Sequence, residues 1–135
     1  MINTILTERL AALYDPFSVL WDTDLLPIEK IKEQIANCDI ETVYIDDLDN
    51  RDGNYHAGRC KYFTDMYTKG KKVDPILVDC VCSGSHVLPS PIVLDGHHRL
   101  IGAILSGTKK IKVSFGGRVD LLHYLQGRRK TCPQE

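Results

Sequence analysis

The chain reads as an α+β protein: a small mixed sheet with flanking helices and an N-terminal helical cap. A change in apolar spacing predicts this class. Helical spacing dominates residues 1–40, whereas from Glu41 short alternating or apolar runs are separated by helical stretches that end at glycines. The 135 residues suit one domain, divided into the cap (1–40), a core (41–116) and a C-terminal helix and tail (117–135).

In the cap, Ile5, Leu6, Leu10, Leu13 and Tyr14 lie near helical spacing and predict a helix over 4–14, which Asp15-Pro16 ends. After Pro27, Ile28, Ile31, Ile35 and Ala36 share one face opposite Glu29, Lys30, Lys32 and Glu33, so a second helix is expected. Val43 and Ile45 alternate with Thr42 and Tyr44 and predict a strand, followed by a polar loop over 46–58. Residues 57–69 read as a helix with Tyr62, Phe63 and Met66 inward and Gly70 as its C-terminal cap. Strands over 75–81 and 91–94 follow, joined by a Ser/Gly/Pro-bearing connection over 82–90. A helix from about residue 97 to Gly107, a strand over 110–115, a Gly116-Gly117 break and a terminal helix ending at Gly127 complete the chain.

Composition excludes several classes. Hydrophobic residues are 43% and charged residues 26%, which suits a globular domain rather than a disordered or fibrous one. Lys plus Arg is 17 against 18 Asp plus Glu, so the net charge of -1 provides no broad basic footprint for nucleic acid. The one basic run, Arg128-Arg129-Lys130, reads as a solvated tail, and DNA binding would need a separate reader. No apolar stretch approaches the ~20 residues of a membrane span, and the N-terminus lacks a basic flank before an apolar signal core, so a cytoplasmic location is expected. Five cysteines without a regular framework fit a reducing compartment. Alternation places Cys80 and Cys82 on one strand face, where His86 or Cys60 would be needed to complete a zinc site; a core role for the two thiols is the favoured reading.

The chemically informative run is 91–99, PIVLDGHHR, an apolar strand that stops at Asp95 and turns through Gly96 into a helix. The first N–H groups of a helix lack intrahelical partners and carry the positive end of its dipole, so a phosphate fits there. His97, His98 and Arg99 add side-chain donors, and Gly96 permits close approach. Without a ligand, the same residues read as a polar first turn in which Arg99 pairs with Asp95. The loop ahead of the third helix contributes Tyr55, His56 and Arg59 as further donors.

In order and wording, the run I-x-x-L (45–48), DPILVD (74–79), IVLDGHHRLIGAILSG (92–107) and KKIKVSF (109–115) resembles the ParB/sulfiredoxin superfamily over about 75 residues. Its glycine-to-helix turn is written GERR in partition proteins, GCHR in sulfiredoxins and DGHHR in free serine kinases, and residues 95–99 match the last form in all five letters. The resemblance implies a nucleotide-binding phosphotransferase that uses ATP or ADP with Mg²⁺ and a small hydroxylated acceptor. It implies phosphate binding by Gly96, His97, His98 and Arg99, with Asp95 on Mg²⁺ or orienting a histidine; Arg59, from the donor-rich loop that goes beyond the family pattern, is a further candidate for binding nucleotide phosphate. Where the kinases carry a catalytic glutamate four residues past the strand leucine, this chain has Asp52, and Asp46, Asp47 and Asp49 compete for that role. His97 replaces the sulfiredoxin cysteine, so sulfinic-acid reduction is not expected. About 20 residues follow the last strand, too few for the helix-turn-helix of partition proteins. The alternatives are a nucleotide hydrolase, a ParB-like nuclease, or a nucleotide-responsive binding module of plasmid or phage origin.

Overall fold

The computed structural model describes residues 2–21, 29, 32, 33, 36, 42–44 and 53–134. In chain order the described elements are β1 (Ile2–Leu6), α1 (Thr7–Leu13), α2 (Pro16–Trp21), α3 (Gly53–Thr68), β2 (Ile76–Ser83), β3 (His86–Asp95), α4 (His97–Ser106), β4 (Lys110–Phe115) and α5 (Val119–Leu125). They form two compact units. One comprises Met1–Asp15, Asp74–Gly96 and Thr108–Glu135 and holds the sheet with α1 and α5; the other comprises Pro16–Val73 and His97–Gly107 and is helical. The α+β class is therefore observed, with a four-stranded mixed sheet.

Strand order is β1-β4-β2-β3, with β1/β4 and β2/β3 antiparallel and β2/β4 parallel. Alternation in β4 sends Ile111 and Val113 into the core and leaves Lys110 and Lys112 exposed. Ile76, Val78 and Cys80 of β2 join them, as do Val93 of β3 and Ile5 of β1. Leu10 of α1 and Leu121 and Leu125 of α5 are fully buried in the same unit. Each such aliphatic side chain contributes roughly 1.5–3 kcal/mol when removed from water.

The structure departs from the local sequence signals in four places. Residues 2–6 form an edge strand, with Ile2 opposite Ser114 and Leu6 opposite Lys110, so the first predicted helix begins only at Thr7. β-branched Ile2, Thr4 and Ile5 suit a strand, and the partner that selects it is distant in sequence. The connection expected over 82–90 is instead mostly hairpin strand, closed at Gly84-Ser85. Pro89 and Pro91 are accommodated because β3 lies at the sheet edge, where strand prolines are tolerated. The supposed loop is helical from Gly53 onward, while 46–52 lie outside the described residues. Residues 42–44 carry neither helix nor strand, and Val43 N–H donates to the Gly58 carbonyl at 3.2 Å; Glu41 and Ile45 lie outside the described residues.

The second expected helix is described at Glu29, Lys32, Glu33 and Ala36, all helical, with Lys32 Nζ 3.5 Å from Glu29 Oε1. Its apolar face, Ile28, Ile31 and Ile35, lies outside the described residues. α3 ends as predicted at Gly70: Gly70 N–H donates to Tyr67 O and Lys71 N–H to Met66 O, both at 3.0 Å, the paired bonds that close a helix C-terminus.

Cys80 is buried but Cys82 is exposed. A register shift between them interrupts the alternation that was expected to put both on one face. Cys38 lies outside the described residues. No helix among the described residues is long and apolar enough to cross a membrane.

At the start of α5, the Arg118 guanidinium grips Asp120 through Nη2–Oδ2 at 2.6 Å and Nε–Oδ1 at 3.1 Å. That bonding, helped by the Leu121 N–H, holds the Asp120 carboxyl below its usual range against the opposing effect of desolvation. A carboxyl lowered on folding stabilises the fold above its unfolded pKa, and this contribution is lost as pH falls through the folded value. Both side chains are partly exposed to solvent, so the effect is small. Asp120→Asn is expected to reduce the drop in Tm between neutral and acidic pH; an unchanged drop would assign acid sensitivity to other carboxylates.

Candidate functional site in the helical unit

The helical unit packs α2, α3 and α4 around Phe17, Ala57, Cys60 and Ile101, with Ile104 and Leu105 against them. Burial pushes the Cys60 thiol well above its usual range, which suits a packing role. α3 and α4 meet at Gly102. A Cβ built there would lie 2.7 Å from Phe63 Cβ, 2.8 Å from Phe63 C and 2.8 Å from Thr64 N, so the helices approach nearly backbone to backbone.

That approach brings together two imidazoles 42 residues apart. His56 Nδ1 lies 2.8 Å from His98 Nε2. The ring planes differ by 21° and the centroids are 5.1 Å apart, as for imidazoles joined edge to edge through a hydrogen bond along the nitrogen lone pair. Tyr55, only 5% exposed, sets its ring against both, at 5.2 Å from His56 and 5.8 Å from His98.

The chain enters α4 through Gly96, whose φ of 104° is a conformation that favours glycine. The first turn is His97, His98 and Arg99, all half-buried, with no acidic residue. A cation at the positive end of a helix is unfavourable by about 0.3–1 kcal/mol in itself, a cost that a bound anion reverses. Arg99 also lies near Tyr67 of α3: burial pushes the Tyr67 phenol up to about 12, and the Arg99 charge opposes the rise.

Arg59, a candidate phosphate ligand, makes contacts within the protein. Its Nη1 donates to the carbonyls of Tyr44 at 2.9 Å and Val43 at 3.3 Å, and its Cζ stands 5.2 Å from the Tyr62 ring and 4.9 Å from the Phe63 ring. The guanidinium thus ties 43–44 to α3, and its Nε is buried without a hydrogen-bond partner among the described residues. Asp95 is the exposed last residue of β3, opposite Leu77. Asp46, Asp47, Asp49 and Asp52 all lie outside the described residues. Among the described residues, no three His, Cys, Asp or Glu side chains converge as a metal-holding group. This leaves Asp95 as the single described carboxylate from the predicted set.

The contact that sequence reasoning did not find is His56 with His98. His56 stood out only as a loop donor, because the helix was begun at Ala57. A helix that starts at Gly53 puts His56 one turn before the core residue Cys60, on the same side of α3. In the sheet unit, a groove of about 390 Å³ is lined by Ser83, His86, Val87, Leu88 and Arg118, none of them among the residues expected to hold nucleotide. No family model, no curated protein and no solved structure was found to match this chain.

Proposed function

We propose that the protein is a small nucleotide-dependent phosphotransferase with a ParB/sulfiredoxin-like fold, closest in type to the free serine kinases and acting on a small hydroxylated acceptor. One observation carries the reading: a ten-residue helix that opens on Gly96 and concentrates His97, His98 and Arg99 in a first turn without acids. Helix N–H groups and the three side chains would hold the transferred phosphoryl group, with Arg99 offsetting charge that develops on its oxygens. Such transfer asks mainly for positioning and electrostatics, which a small helical site supplies. Asp95, two residues before this helix in the sequence, would be the carboxylate on Mg²⁺, and nucleotide-bound Mg²⁺ needs only one or two protein carboxylates. When bound, the ion would neutralise phosphate charge. The order of motifs from 45 to 115 and the mixed sheet support the family assignment.

The test is incubation of the protein with Mg²⁺, ATP or ADP and a pool of hydroxylated metabolites, followed by mass spectrometry for an acceptor heavier by one phosphate. Such a product is expected. Nucleotide binding without transfer or hydrolysis would leave a nucleotide-responsive binding module.

Arg99→Ala is expected to weaken nucleotide binding by roughly 1.5–3 kcal/mol, the scale of a hydrogen bond to a charged group, and Arg99→Lys should recover part of it. Calorimetric titration showing wild-type affinity in Arg99→Ala would make Arg99 a structural residue.

A further inference from the structure

Phosphate binding accounts for His97, His98 and Arg99, but it does not explain why α3 presents an imidazole to His98. Two neutral imidazoles joined through nitrogens share one bridging proton. When His56 Nδ1 donates, His98 Nε2 accepts; in the other pair of neutral tautomers the roles reverse, the His98 outer nitrogen giving its proton to solvent and the His56 outer nitrogen taking one up. In either state one outer nitrogen of the pair carries a hydrogen and the other is basic. Imidazole is the side chain whose ordinary titration range suits proton transfer at neutral pH. The geometry needed for sharing is present: a 2.8 Å N···N distance, near-parallel ring planes and a buried Tyr55 ring braced against both imidazoles. His98 is itself the second residue of α4, within the turn assigned to phosphate.

Resting on the phosphotransferase reading, we infer that the His56–His98 pair is the proton acceptor of the reaction. The acceptor hydroxyl oxygen uses a lone pair to form its bond to phosphorus while the bond from phosphorus to the nucleotide oxygen breaks, its electron pair leaving with the nucleotide. The hydroxyl proton passes to the basic outer nitrogen. The pair then holds three protons on its four nitrogens, which preserves the hydrogen bond between the rings. The acceptor must therefore present its hydroxyl beside the first turn of α4, and an acceptor whose oxygen has no proton to lose gains nothing from the pair.

His56→Ala tests this, because His56 lies outside the phosphate-binding turn. Transfer is expected to fall roughly 10²–10⁴-fold, the usual contribution of a general base, while nucleotide affinity measured by calorimetry stays within about threefold. Imidazole added to the buffer should restore part of the rate in His56→Ala. Should that variant fail to fold, His56→Asn retains a side-chain hydrogen-bonding group but cannot relay a proton, and it is expected to fold, bind nucleotide and transfer as poorly. Wild-type transfer in either folded variant overturns the role of the pair and leaves the phosphotransferase reading intact. A joint loss of affinity and transfer that imidazole does not rescue makes the pair structural and also overturns it. Absence of transfer in the wild-type protein overturns both.

Discussion

Replacing Gly117 by alanine is expected to destabilise the sheet unit by about 2–4 kcal/mol, since two separate penalties coincide there. Gly117 holds φ at 112°, where a side chain on an L-residue is strained, and a Cβ would stand 2.5 Å from Cys80 Sγ and 2.8 Å from Cys80 Cβ. The conformation is imposed by position. Gly116 N–H bonds the Val78 carbonyl at 2.9 Å and Arg118 N–H approaches Cys80 Sγ at 3.4 Å, so the chain between them is pinned against β2. Thermal melting should show a fall of roughly 10 °C in Tm for Gly117→Ala. Gly116→Ala is the control, because its Cβ would meet nothing closer than Asp79 Oδ1 at 3.4 Å and should change Tm little. Equal melting of the two variants would contradict the close approach at Cys80.

Gly102→Ala offers a test in which local and tertiary effects have opposite signs. In an isolated helix alanine is better than glycine by about 1 kcal/mol, so propensity alone predicts a more stable protein. Against this stand the contacts with Phe63 and Thr64, all under 3.0 Å and two of them to backbone atoms that cannot rotate away. The helices must separate, and a net loss of about 1–3 kcal/mol is expected from overpacking. Separation of α3 from α4 would also pull His56 from His98, so the proposed phosphoryl transfer should decline along with stability. Denaturant unfolding gives the sign directly. A stabilised Gly102→Ala would mean that the helices have room for a methyl group.

Elements whose signals lie close in the sequence are legible from it. α4, β4 and α5 combine apolar periods with glycine stops at Gly107, Gly116-Gly117 and Gly127, and each of these signals lies within a few residues of the element it ends. β1 was misread because Ile5, Leu6 and Leu10 fit a helical period equally well, and the choice depends on β4, whose Lys110 pairs with Leu6. The β2–β3 hairpin was shortened because Pro89 and Pro91 signal a loop unless the strand is known to lie at an edge. Of the candidate site, the His97–Arg99 turn was legible as a strand-to-helix motif. His56 was not, since its role depends on a partner 42 residues away and on the glycine contact that sets the helix spacing.

The most direct test of phosphate binding at α4 is an amide NMR titration of the uniformly ¹⁵N-labelled protein with Mg²⁺ and ADP. The N–H signals of His97, His98 and Arg99 should shift most and saturate together with the calorimetric binding curve. Largest shifts elsewhere, or saturation without movement of those three amides, would contradict a phosphate seat at the start of this helix.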